Sequence, residues 1–166
     1  MRKEPFRLRV LKNLTSVIER VNPDNDFEHD LRNAVFRGRV RYGPKDPIPM
    51  ISILEAPIPL DVIQSRGPNP NSSGPWELLI QGFVKDDSKN PSDPAHHLMA
   101  EVKAVLAAEK LRRNDRQPDM LGMGGRVTEM QIGQGSVRPP DEVSDKAFFW
   151  LTLTLRLAET LDKPYE

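Results

Sequence analysis

Sixteen prolines punctuate this 166-residue chain, and their placement constrains the fold more than any other feature. Proline has no N–H to give to a helix or a ladder, and its ring clashes in helix interiors. It therefore sits at element ends, sheet edges and turns. Usage here is about twice the average of roughly 5%. The stretches that proline leaves alone are the candidate helices and strands, and each carries a matching periodicity.

Residues 6–21 are spaced as a helix: Leu11, Leu14, Ile18 and Val21 recur at intervals of three and four, with Leu8 extending the stripe backwards. Asn22-Pro23-Asp24-Asn25 reads as its stop. Over 35–42 the pattern turns to alternation. Phe36, Gly38, Val40 and Tyr42 fall on one side, Val35, Arg37, Arg39 and Arg41 on the other. After the turn Gly43-Pro44-Lys45-Asp46-Pro47, residues 50–55 read as a short strand buried on both faces. Residues 57–75 hold Pro57, Pro59, Pro68, Pro70 and Pro75 with the run Asn69-Pro70-Asn71-Ser72-Ser73-Gly74, which is loop chemistry. At about 19 residues this exceeds the roughly 12–15 of an ordinary connection, so the segment is expected to be either functional or mobile, with 61–75 a long loop.

A third strand follows at 76–85, with Trp76, Leu78, Ile80 and Val84 on one face. Ser92-Asp93-Pro94 announces a helix running to about 113, striped by Ala95, Leu98, Val102, Val105 and Leu106. Residues 127–132 form a fourth strand, 133–145 a second long loop, and 147–157 the clearest strand of all. There Phe149, Leu151, Leu153, Leu155 and Leu157 alternate with Phe148, Trp150, Thr152, Thr154 and Arg156. The tail over 159–166 is expected to be loose. The order α-β-β-β-α-β-β implies a single α+β domain: a mostly antiparallel sheet of about five strands with two helices packed on it.

Composition removes several function classes. With no cysteine there is no disulfide scaffold, thiol nucleophile or cysteine-based zinc site. No apolar run approaches the roughly 18 residues of a membrane helix. Lys and Arg total 24 and so do Asp and Glu, a balance that argues against nonspecific nucleic-acid binding. Met1-Arg2-Lys3-Glu4 is charged but precedes no apolar h-region, so synthesis in the cytoplasm is expected.

Motifs for chemistry are sparse. His96 and His97 are adjacent, about 100° apart on a helix, and cannot share a metal; His29 lies in the polar connector Glu28-His29-Asp30. Gly122-Met123-Gly124-Gly125-Arg126 lacks the Lys-Ser/Thr ending of a phosphate loop and precedes a strand rather than a helix. Asp86-Asp87 ends a strand with no further cation ligand at fitting spacing, and Asn13-Leu14-Thr15 and Asn71-Ser72-Ser73 match the glycosylation sequon without a secretory context. No catalytic, cofactor or metal residue is assigned, and a non-enzyme is expected. Two features carry more. Arg37, Arg39 and Arg41 on one strand face can meet phosphates or carboxylates of another subunit. Phe148 and Trp150, opposite the leucine stripe, mark an interface if that face is bare.

In the order and length of its elements the chain resembles the tail-terminator family of long-tailed bacteriophages, the group that includes the lambda minor tail protein U. The resemblance runs from about residue 6 to 158. It rests on the helix of Leu11, Leu14, Ile18 and Val21, then the strand Arg37-Gly38-Arg39-Val40-Arg41, then Pro47-Ile48-Pro49-Met50-Ile51-Ser52-Ile53-Leu54-Glu55. Trp76-Glu77-Leu78-Leu79-Ile80-Gln81-Gly82-Phe83-Val84, the helix around Ala100–Leu106 and the strand Phe149-Trp150-Leu151-Thr152-Leu153-Thr154-Leu155 complete it. The resemblance implies a structural virion protein without cofactor or catalytic residue. It implies a homohexameric ring that caps the tail tube, stops its polymerisation and offers the docking surface for the head–tail connector. The implied partners are copies of the chain, the tail tube protein and a neck protein, with DNA only passing through the lumen and no membrane. Arg37, Arg39, Arg41, Phe148 and Trp150 are then candidates for subunit or lumen contacts. The rival readings are another neck adaptor or tail-completion protein and, from a different class, a small α+β nucleic-acid-binding module using the arginine strand.

Overall fold

A computed structural model describes residues 2–56, 68 and 70–166. In chain order the elements are helix α1 (Phe6–Ile18), strands β1 (Val35–Arg37), β2 (Met50–Glu55) and β3 (Asn71–Val84), helix α2 (Asp93–Glu109), and strands β4 (Arg113–Asn114), β5 (Gln117–Pro118), β6 (Val127–Ile132), β7 (Ser136–Arg138) and β8 (Ala147–Thr160). The class is α+β, and the main sheet is mixed and mostly antiparallel. Its order is β1-β2-β3-β8-β6, with β7 also on β8. The β4–β5 pair is a separate hairpin whose turn residues, Asp115 and Arg116, both take positive φ, as a tight two-residue hairpin turn of the primed kind requires.

Both helices lie on one face of the sheet. Phe6, Val10, Leu14, Val17 and Ile18 of α1 and Leu98, Val102 and Leu106 of α2 close over Ile51, Ile53, Leu78, Ile80, Phe149, Leu151, Leu153 and Leu155. Each such side chain taken fully out of water contributes about 1.5–3 kcal/mol. The face of α1 is rotated from the expected stripe: Phe6 and Val10 are buried, whereas Leu8 is exposed. The helix also stops at Ile18. Arg20 N–H and Val21 N–H donate to the carbonyls of Val17 and Ile18 in a tighter turn, and the Asn22 side chain accepts from Asp24 N–H at 3.0 Å.

Several expectations are corrected. The first two strands are parallel, with Val35 opposite Ile51 and Arg37 opposite Ile53. Parallel neighbours need a crossover rather than a hairpin, so residues 38–49 travel across the sheet. β1 itself ends at Arg37 rather than near 42: Gly38 N–H still donates to Ile53 O at 2.9 Å, but Gly38 takes φ 80 and turns the chain out of the strand after it. α2 ends at Glu109 rather than 113, and Arg113 enters the hairpin instead.

Of the loop expected over 61–75, residues 61–67 and 69 fall outside the described residues. Its last five residues, Asn71 to Pro75, belong to β3 and pair with Thr160 to Arg156 of β8. Pro75 is tolerated because β2 pairs with β3 only from Leu78 onward. Among the described residues no strand pairs with the other side of β3 at Pro75, where a missing N–H costs no ladder bond. The segment 133–145 likewise contains β7, which continues along β8 where β6 stops: Ile132 faces Leu153 and Ser136 faces Trp150. The tail over 159–166 is tied down. Glu159 and Thr160 are in β8, Leu161 N–H donates to Pro70 O, and Phe6 N–H, an otherwise unpaired donor at the start of α1, donates to Pro164 O at 2.9 Å.

Candidate interaction surface

The three arginines of the expected strand face do not share a face. Arg37 is still in β1, on the helix side, and its Nη1 donates to Thr15 Oγ1 of α1 at 2.8 Å. Beyond Gly38 the chain is pinned to β2 through a side chain. Ser52, fully buried, donates from Oγ to Arg39 O at 2.6 Å and accepts from Arg39 N–H at 3.1 Å. This delivers Arg39 to the opposite face, where its guanidinium lies 3.7 Å from the centroid of the Phe36 ring and pairs with Asp46. Arg41 is exposed and has no ion pair or hydrogen bond among the described residues.

Asp46 organises the rest of the crossing segment. Its carboxylate accepts from Gly43 N–H at 2.7 Å, and its carbonyl accepts from Tyr42 OH at 2.7 Å. Tyr42 is thereby laid against Phe83, with ring centroids 5.6 Å apart, and Lys146 Nζ sits 5.5 Å from its centroid. Under this cover lies a second small core of Met50, Phe83 and Phe148, flanked by Phe36 and Tyr42.

Phe148 is therefore corrected as a subunit-contact candidate: it is fully buried within its own chain, because the parallel crossover passes over it. Trp150 stands at the rim of that cover. It meets Phe148 edge to face at 5.3 Å and is 37% exposed. Past it, Thr152 and Arg156 are exposed, Leu79 and Thr154 half-buried. A shallow groove of about 150 Å³ lies there, lined by Glu55, Ala56, Glu77, Leu78, Leu79 and Thr152. Among the described residues, then, the sheet is sealed by helices on one face and only partly covered on the other.

Of the remaining polar candidates, His29 and Asp87 have structural partners. Glu101 of α2 accepts from Glu28 N–H and His29 N–H and meets the His29 ring, so it fastens the 28–30 connector to the helix. His96 and His97 are exposed. Asp87 accepts from Lys89 N–H at 2.9 Å and Asn90 N–H at 2.7 Å; these backbone donors, Asn90 first, hold its carboxyl below the ordinary carboxylate range. In the acidic connector, Asp30 is lowered mainly by its hydrogen bonds with the Arg32 side chain. Among the described residues no group of three or more His, Cys, Asp or Glu is arranged to hold a metal, and no helix is long and apolar enough to cross a membrane.

Glu109 was not legible as special in the sequence. It is 1% exposed, and accepts from Leu121 N–H at 2.9 Å and from Arg20 Nη1 at 2.7 Å. A glutamate at the end of a helical stripe is a possible signal for such a tie, but its partners lie 12 and 89 positions away. No protein-family model matches this chain, and no curated protein matches it in sequence.

Proposed function

We propose that this chain is a structural virion protein, a tail terminator that assembles as a ring on the end of a tail tube, stops its growth and presents a docking surface to a neck protein. The observation that supports it best is the one-sided sheet. Helices close one face, while Trp150, Thr152, Leu79 and the shallow groove beside them remain accessible on the other among the described residues. A ring is built from heterologous contacts, one patch against a different patch of the next copy. A half-covered sheet face with a rim tryptophan is a surface of the kind that such contacts use. Arg41, exposed and without an ion pair among the described residues, is the arginine best placed to reach a carboxylate of a neighbour.

The test is mass in solution by light scattering, followed by negative-stain imaging. The expected result is a species near six times the 18.8 kDa of one chain and annular particles. Arg41→Glu lowers the assembled fraction without changing the circular-dichroism spectrum. Arg39→Glu is a poorer probe, since it also breaks the internal pair with Asp46. A chain that stays monomeric at high concentration and in the presence of tube ends refutes the reading. Affinity for duplex DNA that falls steeply with salt instead favours a nucleic-acid-binding module.

A further inference from the structure

On the helix side of the molecule, far in sequence from the surface just described, two arginines converge on one phenyl ring. The Arg126 guanidinium carbon lies 4.1 Å from the centroid of Phe6, and that of Arg9 lies 5.9 Å from it. Cation–π contact satisfies the flat faces of these groups but leaves their N–H edges needing acceptors. Arg126 spends two of its nitrogens on main-chain oxygens: Nε donates to Ala158 O of β8 at 3.2 Å, and Nη1 donates to Glu166 O. Its Nη2 and the Nε and Nη2 of Arg9 are buried with no acceptor among the described residues. Buried polar groups are nearly always satisfied, and a buried unpaired charge is costlier still. Neither guanidinium pairs with an Asp or Glu side chain among the described residues.

Both side chains line a pocket of about 330 Å³, together with Glu4, Lys12, Asn13, Gly122 and Met123. The one carboxylate on its wall, Glu4, is paired with Lys12. Three cations against one carboxylate leave the pocket net positive. Asn13 Nδ2 is committed to Leu121 O at 2.7 Å, so it holds the Gly122 loop as a wall rather than competing for a ligand.

We propose that Arg9, Arg126 and Lys12 form a binding site for a small phosphate-type oxyanion. A guanidinium donates two parallel N–H bonds to such an anion. Phe6 holds the two planes in place before the ligand arrives. The anion supplies the acceptors that the protein withholds and neutralises two like charges set against one ring. The inference is independent of the ring reading, since it uses neither the half-covered sheet face nor Arg41.

The probe is inorganic phosphate, followed by calorimetry and by thermal denaturation against sodium chloride at matched ionic strength. Phosphate is expected to raise the melting temperature above the chloride control. Arg9→Gln, which removes one charge-assisted donor set, is expected to weaken phosphate binding about tenfold or more. Lys12→Gln, at an exposed side chain that does not threaten folding, gives a smaller loss in the same direction. A short duplex oligonucleotide that competes for the same residues identifies a phosphodiester as the source; absence of competition leaves the free anion as the source, and either result supports the site. Equal stabilisation by chloride, or phosphate binding unchanged in both variants, overturns it.

Discussion

A single methyl group added at Gly82 tests how closely the sheet is packed against its own neighbours. Gly82 sits in β3 between Ile51 of β2 and Phe149 of β8. A Cβ built there lies 2.2 Å from Cε1 and 2.5 Å from Cζ of Phe149, and 2.9 Å from Cδ1 of Ile51. Carbon atoms rest at about 3.5–4.0 Å, so the ring must retreat by more than about 1 Å. Phe149 and Ile51 are both fully buried in the main core and have no solvent to retreat into. Overpacking of this kind costs about 1–3 kcal/mol. Gly82 has no positive φ, so alanine meets no backbone strain, and the stiffer unfolded chain returns about 0.4–1 kcal/mol. The net expectation for Gly82→Ala is a loss of about 1–2 kcal/mol, seen in urea denaturation, with a fall in melting temperature of about 2–8 °C for a chain of this size. Phe149→Leu removes the ring atoms that the methyl strikes. The double variant should therefore be more stable than the two single losses predict, by about 0.5 kcal/mol or more. A Gly82→Ala protein as stable as the parent, or strictly additive losses in the double variant, refutes the packing argument.

Two further perturbations separate structural from interface roles. Phe148→Ala should cost about 3–5 kcal/mol in the isolated chain, measured by chemical denaturation, because the side chain fills the core under the 38–49 crossover; an unchanged monomer would mean that the ring belongs to an interface after all. Glu109→Ala leaves Leu121 N–H without its acceptor and releases Arg20 and Arg112. Both arginines are nearly half-exposed and rehydrate easily, so the expected loss is about 1–3 kcal/mol rather than the full cost of breaking a buried pair, and a smaller midpoint shift than that in urea would show that water replaces the carboxylate.

The elements that local pattern decides were legible in the sequence. Residues 50–55 and 127–132 are the strands β2 and β6 with the expected bounds, and both helices begin where Pro5-Phe6 and Ser92-Asp93-Pro94 place them. Hydrophobic period and proline's missing N–H act within a few residues, so they can be read without the fold. What depends on a distant partner was not legible. Asn71 to Pro75 has loop composition, yet it is a strand because β8 runs long enough to pair with it and β2 stops short of it. The alternation of Arg37, Arg39 and Arg41 continues past Gly38 in the sequence, but the ladder does not, and Ser52 sends Arg39 to the other face.

Phe148 and Trp150 show the same division most sharply. Two residues apart, they read alike as aromatics opposite a leucine stripe. Only the crossing of residues 38–49, forced by a parallel pairing, buries the first and leaves the second at the rim. Arg9 and Phe6 are a local pair three residues apart on α1, but nothing local brings Arg126, at the entry to β6, onto the same ring. By itself the sequence determined where regular structure forms and that it makes an α+β domain, because those follow from short-range sterics and burial period. Which side chains meet, which faces stay open and which charges lack partners were decided by the tertiary structure, because each is a property of segments that only pairing and packing bring together.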